Sequence, residues 1–219
     1  MNSSRFLTIL MFLCTACALW SGETPATTAP AHHGRIVILG DSITAGYGLD
    51  DPAKAYPALL QAKLDQAGLH FEVVNAGVSG DTTAGGLRRV DWALSRGADV
   101  LVIALGGNDG LRGLQPKQTE ENLRGIVKRA REKVPKITIF IAGMQMPANM
   151  GPDYVEQFKA VFPRVAADTG CTLIPFLLEG VGGVPELNQA DMIHPNAAGA
   201  KIVAEDVWKV LEKKLRESK

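Results

Sequence analysis

Apolar residues recur along this 219-residue chain in short unbroken runs instead of strict alternation. They are "IVIL" at 36–39, "FEVVN" at 71–75, "VLVIAL" at 100–105, "ITIFI" at 137–141 and "CTLI" at 171–174. Each is rich in β-branched residues and shorter than a typical helix, which predicts a strand buried on both faces. Amphipathic stretches lie between them, predicting helices over roughly 55–67, 82–96, 118–133, 153–168 and 196–215. In the last of these, Ile202, Val203, Val207, Val210 and Leu211 fall near helical spacing. Strand and helix taken in turn predict an α/β fold. Its form is a three-layer α/β/α sandwich around a parallel five-stranded sheet, in a single domain.

Open sheets of this kind bind ligands beyond the carboxyl ends of their strands. The residues that follow each strand therefore matter most. They read "GDSITAGYG", "AGVSGDTTAGG" and "GGNDGLRG" after the first three runs, and "DMIHPNAAG" beyond the fifth. A strand order of 2-1-3-4-5 sets the first three side by side. The glycine-rich stretch after "IVIL" suits either a phosphate cradle or an exposed nucleophile at Ser42. The phosphate reading lacks a Gly-Lys-Ser/Thr and a spaced G-x-G-x-x-G. It also lacks an aromatic pair for a flavin ring, since Trp92 and Trp208 fall within predicted helices.

A serine nucleophile needs a base, and the base needs a carboxylate to set its tautomer. Of the four histidines, His32 and His33 lie near the N-terminus and His70 precedes the second strand, at the wrong edge of the sheet. His194 remains, with Asp191 three residues before it. A lone D-x-x-H is weak, because Asp191 or Asn196 could simply cap a helix. Pro195 is expected to open the last helix, where proline suits the first turn. Candidate oxyanion donors are the Ser42 N–H, Gly80 and the Asn108 side chain. Asp41 is expected to cap or brace its loop without a catalytic role.

Charge changes little: Lys plus Arg and Asp plus Glu number 23 each, which gives no basic surplus for nucleic acid. The N-terminus changes more. "MNSSRFLTILMFLCTACALWSG" has Arg5 ahead of an apolar run and small residues Ala16-Cys17-Ala18 at its end, the pattern of a signal peptide over 1–18. Residues 19–34, rich in Pro, Thr and Ala, read as a flexible tether. Periplasmic or secreted placement follows, with no integral span after processing. Cys17 after Thr15-Ala16 also fits lipid attachment, although Cys14 stands where a leucine is expected. Cys171 is expected as a buried core thiol.

Together, G-D-S at Ser42, the loop glycine Gly80, G-x-N-D at Asn108 and D-x-x-H-P at Asp191 and His194 resemble the SGNH (GDSL) hydrolase superfamily. "GGNDGLRGLQPKQTEENL" and "MPANMGPDYVEQF" are most similar to its bacterial thioesterase I, lysophospholipase and arylesterase branch. The resemblance covers Arg35 to the C-terminus, the hydrolase domain 35–219. It implies a flavodoxin-like fold and cleavage of carboxylic esters and thioesters through an acyl-enzyme on Ser42. It implies no cofactor and no metal. Ser42 does not sit in G-x-S-x-G, so the α/β-hydrolase elbow does not apply.

The expected partner is a small-molecule or lipid acyl ester, bound by a monomer. Leu111, Leu114, Met144, Met146, Met192 and Ile193 are candidates for an apolar acyl groove. Two alternatives stay open from sequence: a carbohydrate acetylesterase, and a non-catalytic binding protein on the same fold.

Overall fold

The five apolar runs form β1 (Gly34–Gly40), β2 (Phe71–Gly77), β3 (Val100–Ala104), β4 (Thr138–Ala142) and β5 (Thr172–Ile174) of a computed structural model that describes residues 34–217. They make one parallel sheet in the order β2-β1-β3-β4-β5. Ile36 lies opposite Val73 on one side and Val100 on the other. Ile36 to Leu39 and Leu101 to Ala104 are wholly buried. The runs of the inner strands do not alternate because helices cover both faces of the sheet, whereas the edge strand β2 is only partly buried.

The helices are α1 (Ser42–Ala45), α2 (Tyr56–Gln66), α3 (Thr83–Ala93), α4 (Gly107–Leu111), α5 (Pro116–Lys133), α6 (Pro152–Thr169) and α7 (Ala197–Glu217). α2 packs against α7, while α3, α5 and α6 pack in sequence. Right-handed crossovers place these two groups on opposite faces of the sheet. α5 buries Leu123, Ile126, Val127 and Ala130, a stripe at three- and four-residue spacing. Pro116 and Pro152 open their helices, where a missing N–H costs nothing. α6 continues through Pro163 and stops at Gly170, whose φ of 63° suits glycine.

Several local expectations need correction. Pro195 does not begin α7; it bridges to Asn188 in extended conformation. Asn196 supplies the cap instead, its Oδ1 accepting from the N–H groups of Ala198 and Gly199 at 2.9 and 3.1 Å. Gly34 belongs to β1, not to the tether. Cys171 is only half-buried, with the Thr169 hydroxyl 3.2 Å from its sulfur, and burial raises its pKa. The signal peptide, the rest of the tether, Cys17, His32 and His33 lie outside the described residues. Among the described residues, no helix is long and apolar enough to cross a membrane.

Candidate active site

β1 runs directly into α1, and this junction sets Ser42. The Asp41 carboxylate accepts the Ile43 N–H at 3.0 Å, which caps the short helix and makes Ser42 its first residue. A side chain at Gly77 would collide with the backbone of Thr44 and Ala45, so β2 lies close beneath α1 only because that residue is glycine. Thr44 shares a 2.9 Å hydrogen bond with the buried Tyr56 hydroxyl, which ties α1 to α2. Arg89 of α3 donates to the carbonyls of Gly40 and Ala76 at 2.8 Å and to Asp81 at 2.6 Å. One guanidinium thus joins the ends of β1 and β2 to the loop after β2.

The segment before α7 brings His194 to Ser42. His194 Nε2 lies 2.8 Å from Ser42 Oγ, and His194 Nδ1 lies 2.6 Å from Asp191 Oδ2. Asp191 Oδ1 accepts the backbone N–H groups of Ile193 and His194, each at 3.0 Å. These N–H groups, His194's foremost, together with the imidazole hold the Asp191 carboxyl down at about 2. An ionised carboxylate can only accept, so Nδ1 carries the proton and Nε2 turns its lone pair to Ser42. The segment is braced from within. Gln189 N–H donates to the His194 carbonyl at 2.8 Å, and Asn196 Nδ2 donates to the Glu186 carbonyl at 2.8 Å. Met192 sits in the left-handed region with φ 60°, uncommon for a side-chain-bearing residue. The Tyr47 ring packs on the imidazole, centroids 4.8 Å apart.

Two further loops face Ser42. Gly80 has φ 79°, a conformation that favours glycine, and its carbonyl accepts Arg112 Nη2 at 2.8 Å. Asn108, second in α4, donates one amide N–H to the Asp81 carbonyl at 2.9 Å. Its amide carries a second N–H for the cavity it lines. Asp109 is wholly buried and pins α4 to α3 and α5. It accepts the Thr83 N–H at 2.9 Å and the hydroxyls of Thr83 and Thr119. Asp41, 2% exposed, also borders the cavity, and burial lifts its carboxyl to about 6. A raised carboxyl favours folding while protonated, so its contribution falls as pH climbs from the usual carboxylate range through about 6.

Ser42, Gly80, Asn108 and His194 open onto one cavity of about 580 Å³. Five of the six expected groove residues line it: Leu111, Met144, Met146, Met192 and Ile193. Leu114 does not. Its carbonyl instead accepts the Tyr154 hydroxyl at 2.8 Å, behind the α4 turn. Pro147, Phe176, Leu178 and Tyr47 line the cavity and were not expected from sequence. The apolar "PFLL" at 175–178, directly after β5, was the available signal for two of them. Among the described residues, no group of three or more His, Cys, Asp or Glu side chains is placed to hold a metal ion.

Known proteins share this chain's pattern. Residues 38–202 match the model of the GDSL-like Lipase/Acylhydrolase family. The chain is 42% identical to Esterase TesA of Pseudomonas aeruginosa over 205 residues, which span 93% of this chain and 97% of that protein. It is 40% identical to Thioesterase 1/protease 1/lysophospholipase L1 of Escherichia coli K12 over 178 residues, 81% of this chain and 83% of that one. A solved structure of psychrotrophic esterase EstA from Pseudoalteromonas sp., inhibited by monoethylphosphonate, aligns with a TM-score of 0.78 at 32% identity. It covers 84% of this chain and 99% of its own. Since the match extends from the middle of β1 into α7 and so takes in every loop that meets at the cavity, the chain belongs to the GDSL-like lipase/acylhydrolase family and is an SGNH ester and thioester hydrolase.

Proposed function

We propose that Ser42 is the nucleophile, His194 its general base, and Asp191 the carboxylate that orients the imidazole. The observation that carries this reading is the unbroken relay from Asp191 through both His194 nitrogens to Ser42 Oγ, at 2.6 and 2.8 Å, opening on the cavity. Ser42 Oγ attacks the acyl carbon as its proton moves to Nε2. The tetrahedral oxygen takes up charge and needs donors aimed at it. The Ser42 N–H has no acceptor within α1, because the first N–H groups of a helix have none. That N–H, Gly80 and the second Asn108 N–H form the oxyanion hole. His194 then returns the proton to the leaving oxygen or sulfur. Water, activated by the same imidazole, releases the acid.

Asn108→Ala tests the hole. The donor acts mainly on the transition state, so kcat is expected to fall about 10²–10³-fold with KM nearly constant. Steady-state kinetics on one nitrophenyl ester checks this. Unchanged kcat with raised KM would make Asn108 a substrate-binding or turn residue.

The substrate is an acyl ester or thioester whose chain lies along Leu111, Met144, Met146, Met192 and Ile193. Methionine is flexible and suits a groove that accepts several chain shapes. Each methylene buried there adds ~0.8 kcal/mol. kcat/KM is therefore expected to rise from acetyl to a medium chain and then level off. Nitrophenyl esters and matching thioesters of increasing acyl length measure it, and both classes should be cleaved. A sharp optimum at acetyl with longer chains refused favours the carbohydrate acetylesterase reading. Export to the periplasm or beyond is the placement that the N-terminal pattern supports, with Cys17 as a candidate lipid-attachment residue. Every group assigned a role comes from one chain, so the proposed chemistry needs no second copy and a monomer would suffice for it.

A further inference from the structure

The imidazole that takes the Ser42 proton gives it back to the leaving atom. The leaving group therefore departs beside His194 Nε2. Sheet order sorts the rest of the cavity. Leu111, Met144, Met146, Phe176 and Leu178 follow β3, β4 and β5 and make an apolar wall on that side of Ser42. Tyr47 stands on the other side, after β1, with Ser79 and Gly80 from the neighbouring β2 loop.

Tyr47 is 54% exposed, yet its place is fixed. Its N–H donates to the Ser42 carbonyl at 3.0 Å. Its own carbonyl accepts Gln189 Nε2 at 2.6 Å, and the same Nε2 donates to the Pro195 carbonyl at 3.1 Å. The residue is thereby tied to the nucleophile's turn and to the loop that carries the base. Its ring meets the imidazole at a tilt of 44° and leaves more than half of the residue open. A large exposed ring, held in place beside the atom that protonates the departing group, is a binding surface for that group.

We propose that Tyr47 is the leaving-group platform of this site and selects aromatic leaving groups over aliphatic ones of equal acidity. The proposal rests on Ser42 and His194 acting as assigned above. In the step concerned, Ser42 Oγ bonds to the acyl carbon and its proton passes through Nε2 to the leaving oxygen. The carbon–oxygen bond breaks, its electron pair stays on that oxygen, and the group leaves as a neutral phenol. Its ring rests against Tyr47 in offset or edge-on contact while the proton arrives. Hydrolysis of the acyl-enzyme contains no aryl group, so the platform acts on acylation alone.

Phenyl butyrate and hexafluoroisopropyl butyrate share an acyl group and have leaving groups of similar acidity. kcat/KM for both should be measured in the wild type, Tyr47→Phe and Tyr47→Leu. The wild type is expected to favour the phenyl ester, and Tyr47→Phe to keep that ratio. Tyr47→Leu should lower the aryl-to-alkyl ratio about fivefold and weaken product inhibition by phenol to a similar degree. An unchanged ratio, or an equal loss on both esters, overturns the platform and leaves Tyr47 as a support for His194. Should Tyr47→Leu not fold, wild-type inhibition by phenol that greatly exceeds inhibition by cyclohexanol supports the proposal, and equal inhibition overturns it. Failure of the underlying assignment looks different: neither ester is cleaved, or an active-site phosphonate still labels protein without Ser42.

Discussion

Ser42→Ala is expected to lower kcat by about 10⁴–10⁶-fold and to abolish labelling by a fluorophosphonate probe, while the protein stays folded. The large figure follows from how the site is wired. Ser42 Oγ is the one atom that both donates its hydrogen to the His194 Nε2 lone pair, at 2.8 Å, and stands at the cavity wall. Without it, Asp191 and His194 retain their own contact but have no hydroxyl to activate. What survives is the oxyanion hole and substrate binding, which can still favour attack by water. Folding should survive because the Asp41 cap, the Thr44–Tyr56 bond and the Arg89 bridge are independent of the Ser42 side chain. Equal labelling of wild type and mutant, seen by intact-protein mass spectrometry, would remove Ser42 from the mechanism.

Much of this architecture is legible in the chain because burial on both faces leaves a simple mark. The runs at 36–39 and 100–105 have no polar break, and the sheet indeed buries both sides of β1 and β3. The D-x-x-H spacing is legible for another reason. Three residues are enough to turn a carboxylate back onto an imidazole, and the structure has Asp191 and His194 in that contact.

Other features carry no periodic signal. α1 and α4 are only four and five residues long and rich in Ser, Thr, Gly, Asn and Asp, which read as turn residues. Arg89 looks like a solvated charge on an amphipathic helix, and only the fold brings two strand-end carbonyls within its reach. Asp109 reads as part of a turn, yet it is wholly buried against Thr83, 26 residues away in sequence. Leu114 and Phe176 show the same limit from opposite sides. Each is an apolar residue in a loop at the right edge, and which of them faces the cavity depends on loop geometry that hydropathy does not encode.

Asp191→Asn is expected to keep the fold and lose activity by about 10⁴-fold. The carboxylate has two jobs on two oxygens. Oδ1 accepts two backbone N–H groups, and Oδ2 accepts the His194 Nδ1 proton. Asparagine has a single oxygen. The two fixed backbone donors outbid one imidazole for it, so the amide NH2 turns toward His194. An NH2 can only donate. Nδ1 must then give up its proton and Nε2 must carry one, which is the tautomer that cannot accept from Ser42. Loss of the negative charge also removes what steadies the imidazolium. Because the wild-type carboxyl is held at about 2, its protonation lies far below neutral pH, and the wild-type acid limb does not come from Asp191. Asp81→Asn is the control. It weakens the ion pair with Arg89 and should lower thermal stability far more than kcat. Comparing kcat and melting temperature for both variants decides the matter. If Asp81→Asn, still folded, were the more damaging to turnover, the orienting carboxylate would lie in the β2 loop and not beside His194.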